Sequence, residues 1–238
     1  MFRSLHCCSL VLLSGVCLGQ SDEPIPGPQI RYVDAFPGQE AFPQPLFVAY
    51  DDREPDSAFV VCQPGYIYRV PRDGQRSERE VFLDLSERVL TKNWEEGLLG
   101  FQFDPDYAKN GHVWTYWSER IEQREESQAR GKRKSDRQSV VARYTVVEQD
   151  GGRRVDLESE LRVLEVFQPF GNHNGGTVVF GPDGMLYVAL GDGGYRDDVY
   201  GNAESLGMLL GKVLRIDVRA ATVEQPYSVP KDNPFVGV

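Results

Sequence analysis

The stretch that decides the fold is GNHNGGTVVFGPDGMLYVALGDGGYRDDVYGNAESLGMLLGKVL, residues 171–214. Two short apolar runs, TVVF (177–180) and MLYVAL (185–190), flank the turn Gly181-Pro182-Asp183-Gly184. Pro presets φ and Gly supplies a positive φ, so a Pro-Asp-Gly turn between such runs predicts a β-hairpin. His173 lies just before the first strand and Asp192 just after the second. Antiparallel pairing brings both to one end of the hairpin, where a base and its orienting carboxylate are needed. On this pattern alone His173 is either a general base or a structural histidine satisfied at a turn.

Outward from this hairpin the pattern repeats. Short apolar runs at residues 46–50, 58–63, 66–70 and 81–85 alternate with turn residues, including Arg72-Asp73-Gly74, and predict an antiparallel meander. GLLGFQF (97–103), the turn Asp104-Pro105-Asp106-Tyr107 and HVWTYWS (112–118) form another unit. Phe103–Asp106 and Phe180–Asp183 share the pattern F-x-P-D, each after one apolar run and before the next. A strand–turn–strand repeat of this kind predicts an all-β propeller, because a single unit cannot bury both of its faces. Further strands are expected at residues 139–147, 161–167 and 211–218, with a turn at Asp150-Gly151-Gly152.

Residues 119–138, ERIEQREESQARGKRKSDRQ, interrupt this pattern with charge. They read as a solvated hairpin extension in preference to a basic ligand patch around Lys132-Arg133-Lys134. Asp192, Asp197 and Asp198 lack the alternating spacing of a twelve-residue calcium loop, so no metal site is expected among these residues.

At the other end, residues 1–19 resemble a secretory signal peptide, with Arg3 followed by an apolar run too short to span a bilayer. An exported, periplasmic or extracellular protein is expected. Of the four cysteines, Cys7, Cys8 and Cys17 lie in that leader, leaving Cys62 as a buried small hydrophobe and no internal disulfide. Residues 20–42, rich in Pro and polar groups, read as an extended lead-in, and 43–238 as the propeller region. A net charge of −10 excludes the basic face that nucleic acid requires and disfavours an anionic membrane surface.

Five segments carry a family resemblance: PGYIYRV (64–70), EEGLLGFQFDPDY (95–107), NHNGGTVVFGPDGMLYVALGDGG (172–194), GMLLGKVLRIDV (207–218) and VPKDNPF (229–235). Together, in this order, they resemble the pyrroloquinoline quinone (PQQ)-dependent glucose/sorbosone dehydrogenases, soluble sugar oxidoreductases built on a six-bladed β-propeller. The resemblance implies that this chain covers about the first half of such a ring. It implies that His173 takes the proton of a sugar hydroxyl, that Asp192 hydrogen-bonds His173, and that PQQ accepts the hydride. It places Glu95 and Asn172 with His173 at the cofactor, although many members have glutamine where Glu95 stands. A carboxylate there repels an anionic quinone unless it is protonated or paired.

The calcium ligands and the basic residues that clamp the quinone are expected beyond this chain. The isolated chain is therefore expected to be inactive, and to pair with a C-terminal half or with a second copy. Two other readings remain: a non-catalytic extracellular propeller, as in relatives with hedgehog-interacting-like domains, and a calcium-dependent lactonase-like propeller. The electron acceptor and the sugar are not legible.

Overall fold

The computed structural model of the protein describes residues 31–72, 79–149 and 151–236. The expected signal peptide, much of the lead-in, residues Asp73 and Gly74 of one expected turn and Asp150 of another lie outside the described residues. Residues 35–238 form one compact unit; residues 31–34 fall to a separate one and carry no regular structure.

The first sheet contains β1 (Pro45–Ala49), β2 (Ser57–Cys62), β3 (Tyr66–Pro71) and β4 (Glu80–Asp84), paired in chain order and antiparallel throughout. The second contains β5 (Leu98–Phe103), β6 (His112–Ser127), β7 (Lys132–Gln149) and β8 (Gly152–Phe167), again in chain order. β9 (Val178–Phe180), β10 (Leu186–Ala189) and β11 (Val213–Ile216) form a three-stranded sheet of the same sequential kind. Repeated meanders of this order are the blades of a β-propeller. The expected turn at Asp104–Tyr107 is present and leads into a single helical turn, α1 (Tyr107–Asn110), closed by Gly111 at φ 66°. A left-handed C′ residue is where glycine is favoured.

Side chains alternate between faces with period two, so each central strand feeds two cores. Phe59 and Val61 of β2 face Phe101, Phe103, Val113, Trp117 and Val140 across the gap to the second sheet. From the other side of the second sheet, Trp114, Tyr116, Val141 and Leu164 pack on Val178, Leu186, Val188 and Ile216 of the third. The second sheet is thus covered on both faces. Each fully buried large side chain there contributes roughly 1.5–3 kcal/mol of transfer free energy.

On the remaining face of the first sheet, Ala58, Val60 and Cys62 are covered by Phe36 and Phe42, so the end of the expected lead-in packs against the propeller instead of lying free. Cys62 is buried and unpaired, and burial pushes its thiol up to about 11, which fits the expected inert hydrophobe. Beside β11 lies an apolar groove of about 540 Å³, lined by Met208, Val213, Ile216, Tyr227 and Phe235 among others. Val213 is 69% exposed there, which marks this sheet face as uncovered.

Candidate active site

β9 and β10 pair as the turn predicts, with Val188 opposite Val178 and Leu186 opposite Phe180. The two ends of this hairpin then meet. Nδ1 of His173 lies 2.9 Å from Oδ1 of Asp192. The same carboxylate oxygen accepts the Gly194 N–H at 2.8 Å, which fixes its rotamer. A carboxylate accepts, so Nδ1 of His173 carries the proton, and in the neutral ring Nε2 is the acceptor. The His173 side chain is 41% exposed and that of Asp192 is 17% exposed, so the imidazole is open and its partner is sheltered.

Main-chain geometry makes this approach possible. A Cβ at Gly191 would run into the carbonyl oxygen of His173, so only glycine lets the two segments come so close. His173 itself has φ 54°, a left-handed conformation that costs a non-glycine residue about 1–3 kcal/mol and concentrates at functional sites. Tyr195, Asp197 and Asp198 share that region at φ 69°, 57° and 43°.

The expected cofactor residues are both at this place, with their polar groups already engaged. Oε2 of Glu95 accepts the main-chain N–H of His173 at 2.5 Å. Asn172 donates from Nδ2 to the Tyr195 carbonyl at 3.1 Å and accepts the Tyr195 N–H on Oδ1 at 3.0 Å. Its amide braces two main-chain segments because a side-chain amide matches a peptide group in donor and acceptor. Glu95 likewise serves as a backbone clamp. The two oxygens of Asp198 accept the main-chain N–H groups of Asn202 and Ala203. Among the described residues no group of three or more His, Cys, Asp or Glu could hold a metal ion.

Beneath the pair, the Tyr116 hydroxyl donates to the Asn174 carbonyl at 2.5 Å, and Asn174 Nδ2 donates to the Phe170 carbonyl at 3.0 Å. Phe170 lies 5.4 Å from the Tyr195 ring and 6.1 Å from that of Tyr200. None of these contacts had a sequence signal: Tyr116 reaches Asn174 from β6, Phe170 meets Tyr195 and Tyr200 from another loop, and the Asn174–Phe170 bond within one loop follows no motif. The charged extension is the hairpin expected, and most of its residues are exposed or half-buried. Ser127 stands opposite Lys132, Gln128 and Ser135 are buried, and the tip touches the Asp192 loop.

PQQ fits this surface in one respect. A sheltered carboxylate behind an open imidazole meets the need of an alcohol-oxidising cofactor for a proton acceptor beside it. In a second respect the fit is incomplete: the charged groups bonded to His173 are the carboxylates of Glu95, on its main-chain N–H, and Asp192, on its ring, while a quinone carrying carboxylates requires cations.

The glucose/sorbosone dehydrogenase family model matches residues 47–238. The Hedgehog-interacting protein of Homo sapiens is 32% identical over 194 residues, covering 80% of this chain and 27% of that protein. The quinoprotein glucose dehydrogenase B of Acinetobacter calcoaceticus is 29% identical over 195 residues, covering 73% of this chain and 36% of that enzyme. The PQQ-bound aldose sugar dehydrogenase of Streptomyces coelicolor superposes with a TM-score of 0.56 at 23% identity, over 74% of this chain and 45% of that one. The chain thus spans less than half the length of each of these proteins. With a family match that takes in every blade strand from β2 to β11 and most of β1, this β-propeller chain belongs to the glucose/sorbosone dehydrogenase family.

Proposed function

We propose that this chain forms part of an exported, PQQ-dependent sugar dehydrogenase, in which His173 is the general base and Asp192 its orienting partner. The observation that carries the reading is the 2.9 Å bond between His173 Nδ1 and Asp192, which leaves Nε2 as the proton acceptor on an open face. The hydroxyl proton of an aldose passes to Nε2 of His173. Asp192 holds the ring in the required tautomer and stabilises the imidazolium that results. The quinone, when bound, supplies the acceptor for the hydride leaving the sugar carbon. Glu95 holds the main chain of His173 and Asn172 holds that of Tyr195, so both act on the shape of the site.

The activity is proposed for a closed ring. The uncovered apolar groove beside β11 supports pairing with further blades, or with a second copy, and the isolated chain is expected to be inactive. Calcium and the cations that hold the quinone are proposed to come from that further part. Among the described residues no helix is long and apolar enough to cross a membrane.

The test is dye reduction by the complete gene product, supplied with PQQ, calcium and a panel of aldoses. Sugar-dependent reduction lost in His173→Ala is expected. No reduction with any aldose by the quinone-loaded protein, or full activity in the variant, overturns the reading.

A second reading, a propeller that binds without oxidising, is favoured by Glu95, whose carboxylate stands against an anionic quinone. The similarity to a protein named for interacting with Hedgehog supports the same reading.

A further inference from the structure

The charged extension of β6 and β7 reaches the His173–Asp192 pair from two directions. At its tip, buried Asn202 donates from Nδ2 to Gln128 Oε1 and to the Asp192 carbonyl, each at 3.0 Å, and accepts the Ala129 N–H at 3.1 Å. One side chain therefore ties the tip of the extension to the main chain of the orienting carboxylate. Around it, the Arg130 N–H donates to the Tyr200 carbonyl at 2.8 Å and the Arg130 guanidinium pairs with Glu204 at 2.7 Å. Arg133 stacks 4.3 Å from the centre of Phe170 and donates to the Pro169 carbonyl at 3.2 Å, just ahead of the histidine segment.

Arg137, at the root of the extension, makes the second arm. It pairs with Glu96 at 2.6 Å, and Glu96 also accepts the Asn93 N–H and side-chain amide at 2.8 and 2.7 Å. That fixes the short loop that carries Glu95, which clamps the main chain of His173. The loops themselves are poor at holding this shape. His173, Tyr195, Asp197 and Asp198 all sit at positive φ, and such conformations persist only where surrounding structure enforces them. The extension supplies that enforcement with bonds to main-chain groups that no strand of the ladder occupies.

We propose that the β6–β7 extension is a strap that positions the His173–Asp192 pair, with Asn202 and Arg137 as its positioning residues. This rests on the reading of His173 and Asp192 as a coupled pair, and the experiment separates the two. The readout is the Nδ1–H proton of His173 in the NMR spectrum of the full chain, assigned by its loss in His173→Ala, together with its rate of exchange with water. Two variants are compared with the unaltered chain. One replaces residues 121–136 by Asn-Gly, a two-residue turn joining Arg120 to Arg137, which face each other in the ladder. The other, Gln128→Ala with Arg130→Ala, keeps the hairpin and removes only tip contacts, so the question stays decidable if the shortened chain fails to fold.

Expected is a protected Nδ1–H in the unaltered chain and exchange about tenfold faster in the variants, the change in population that loss of one hydrogen bond produces. The His112 signal, remote from the strap, stays unchanged. A protected proton in the unaltered chain with the same exchange rate in a folded variant overturns the strap and leaves the pair standing. No protected proton in the unaltered chain overturns the pair, and the strap with it.

Discussion

Glu96 and His173 occupy matching places in the two F-x-P-D repeats, each the same distance ahead of its phenylalanine, Glu96 before Phe103 and His173 before Phe180. Their fates differ. The Glu96 side chain is 1% exposed and both its oxygens are engaged, by Arg137 on one side and Asn93 on the other. The His173 side chain is 41% exposed, with Nδ1 on Asp192 and Nε2 left to the open face. One blade entrance uses its polar residue to hold structure; the other holds a polar residue ready. The difference lies in the partners. An arginine reaching in from the extension pairs with Glu96, whereas the carboxylate bonded to Nδ1 of His173 leaves Nε2 as the acceptor.

The comparison breaks most sharply at His173. In the quinone-loaded complete protein, His173→Ala is expected to lower the rate of sugar oxidation by about 10³-fold, the usual scale for a general base. Its denaturation midpoint should move little, since the side chain is half in water. Equal rates in a dye-reduction assay would place His173 with Glu96 as a structural group. Arg137→Ala comes next. It strands a buried carboxylate, and urea denaturation should show about 3 kcal/mol of lost stability. A loss no larger than that of a surface substitution would show that water reaches Glu96.

Gly191→Ala should cost about 2 kcal/mol, because the added methyl meets the His173 carbonyl and the segments must part. It should also weaken the His173–Asp192 bond, seen as faster exchange of the Nδ1–H proton. Glu95→Gln retains an oxygen for the His173 N–H and removes the charge. Stability should stay within about 0.5 kcal/mol, while quinone binding, followed by absorbance titration, should tighten. Weaker binding would mean that the carboxylate is a ligand in its own right.

The smallest effect concerns His112, which opens β6. Burial holds its imidazole below the ordinary value of 6.5, with a lesser contribution from Arg143. A lowered folded-state value means that the unfolded chain binds the proton more readily. The stability His112 confers is therefore present above pH 6.5 and is lost as pH falls through the lowered value. His112→Gln should flatten that part of the stability profile, measured by denaturant titration between pH 5 and 7. An unchanged profile would show that this strand entrance carries no proton linkage.

Much of this is legible in the sequence. Apolar alternation and turn chemistry act over a few residues, so the strands from Leu46 to Ile216 and the Pro182-Asp183 hairpin could be read directly. The same local logic set His173 and Asp192 at one end of a hairpin, because antiparallel pairing dictates which termini meet. Comparing the repeats residue by residue would also have matched Glu96 with His173. It would not have told them apart.

What the tertiary structure alone decided is the polar layer around the pair. Gln128 and Arg137 lie far in sequence from the groups they bond, Asn202 and Glu96, and Asn202 also reaches the Asp192 main-chain carbonyl, a group that any residue type presents. Such contacts have no period and no motif. Burial of Phe36 and Phe42 against the first sheet was hidden in the same way, since two aromatics in a Pro-rich stretch show no strand pattern. Local pattern determined the blades, because backbone hydrogen bonding and side-chain alternation repeat along the chain. The setting of the histidine was decided by which loops the blades bring together, a property of their packing and not of any one segment.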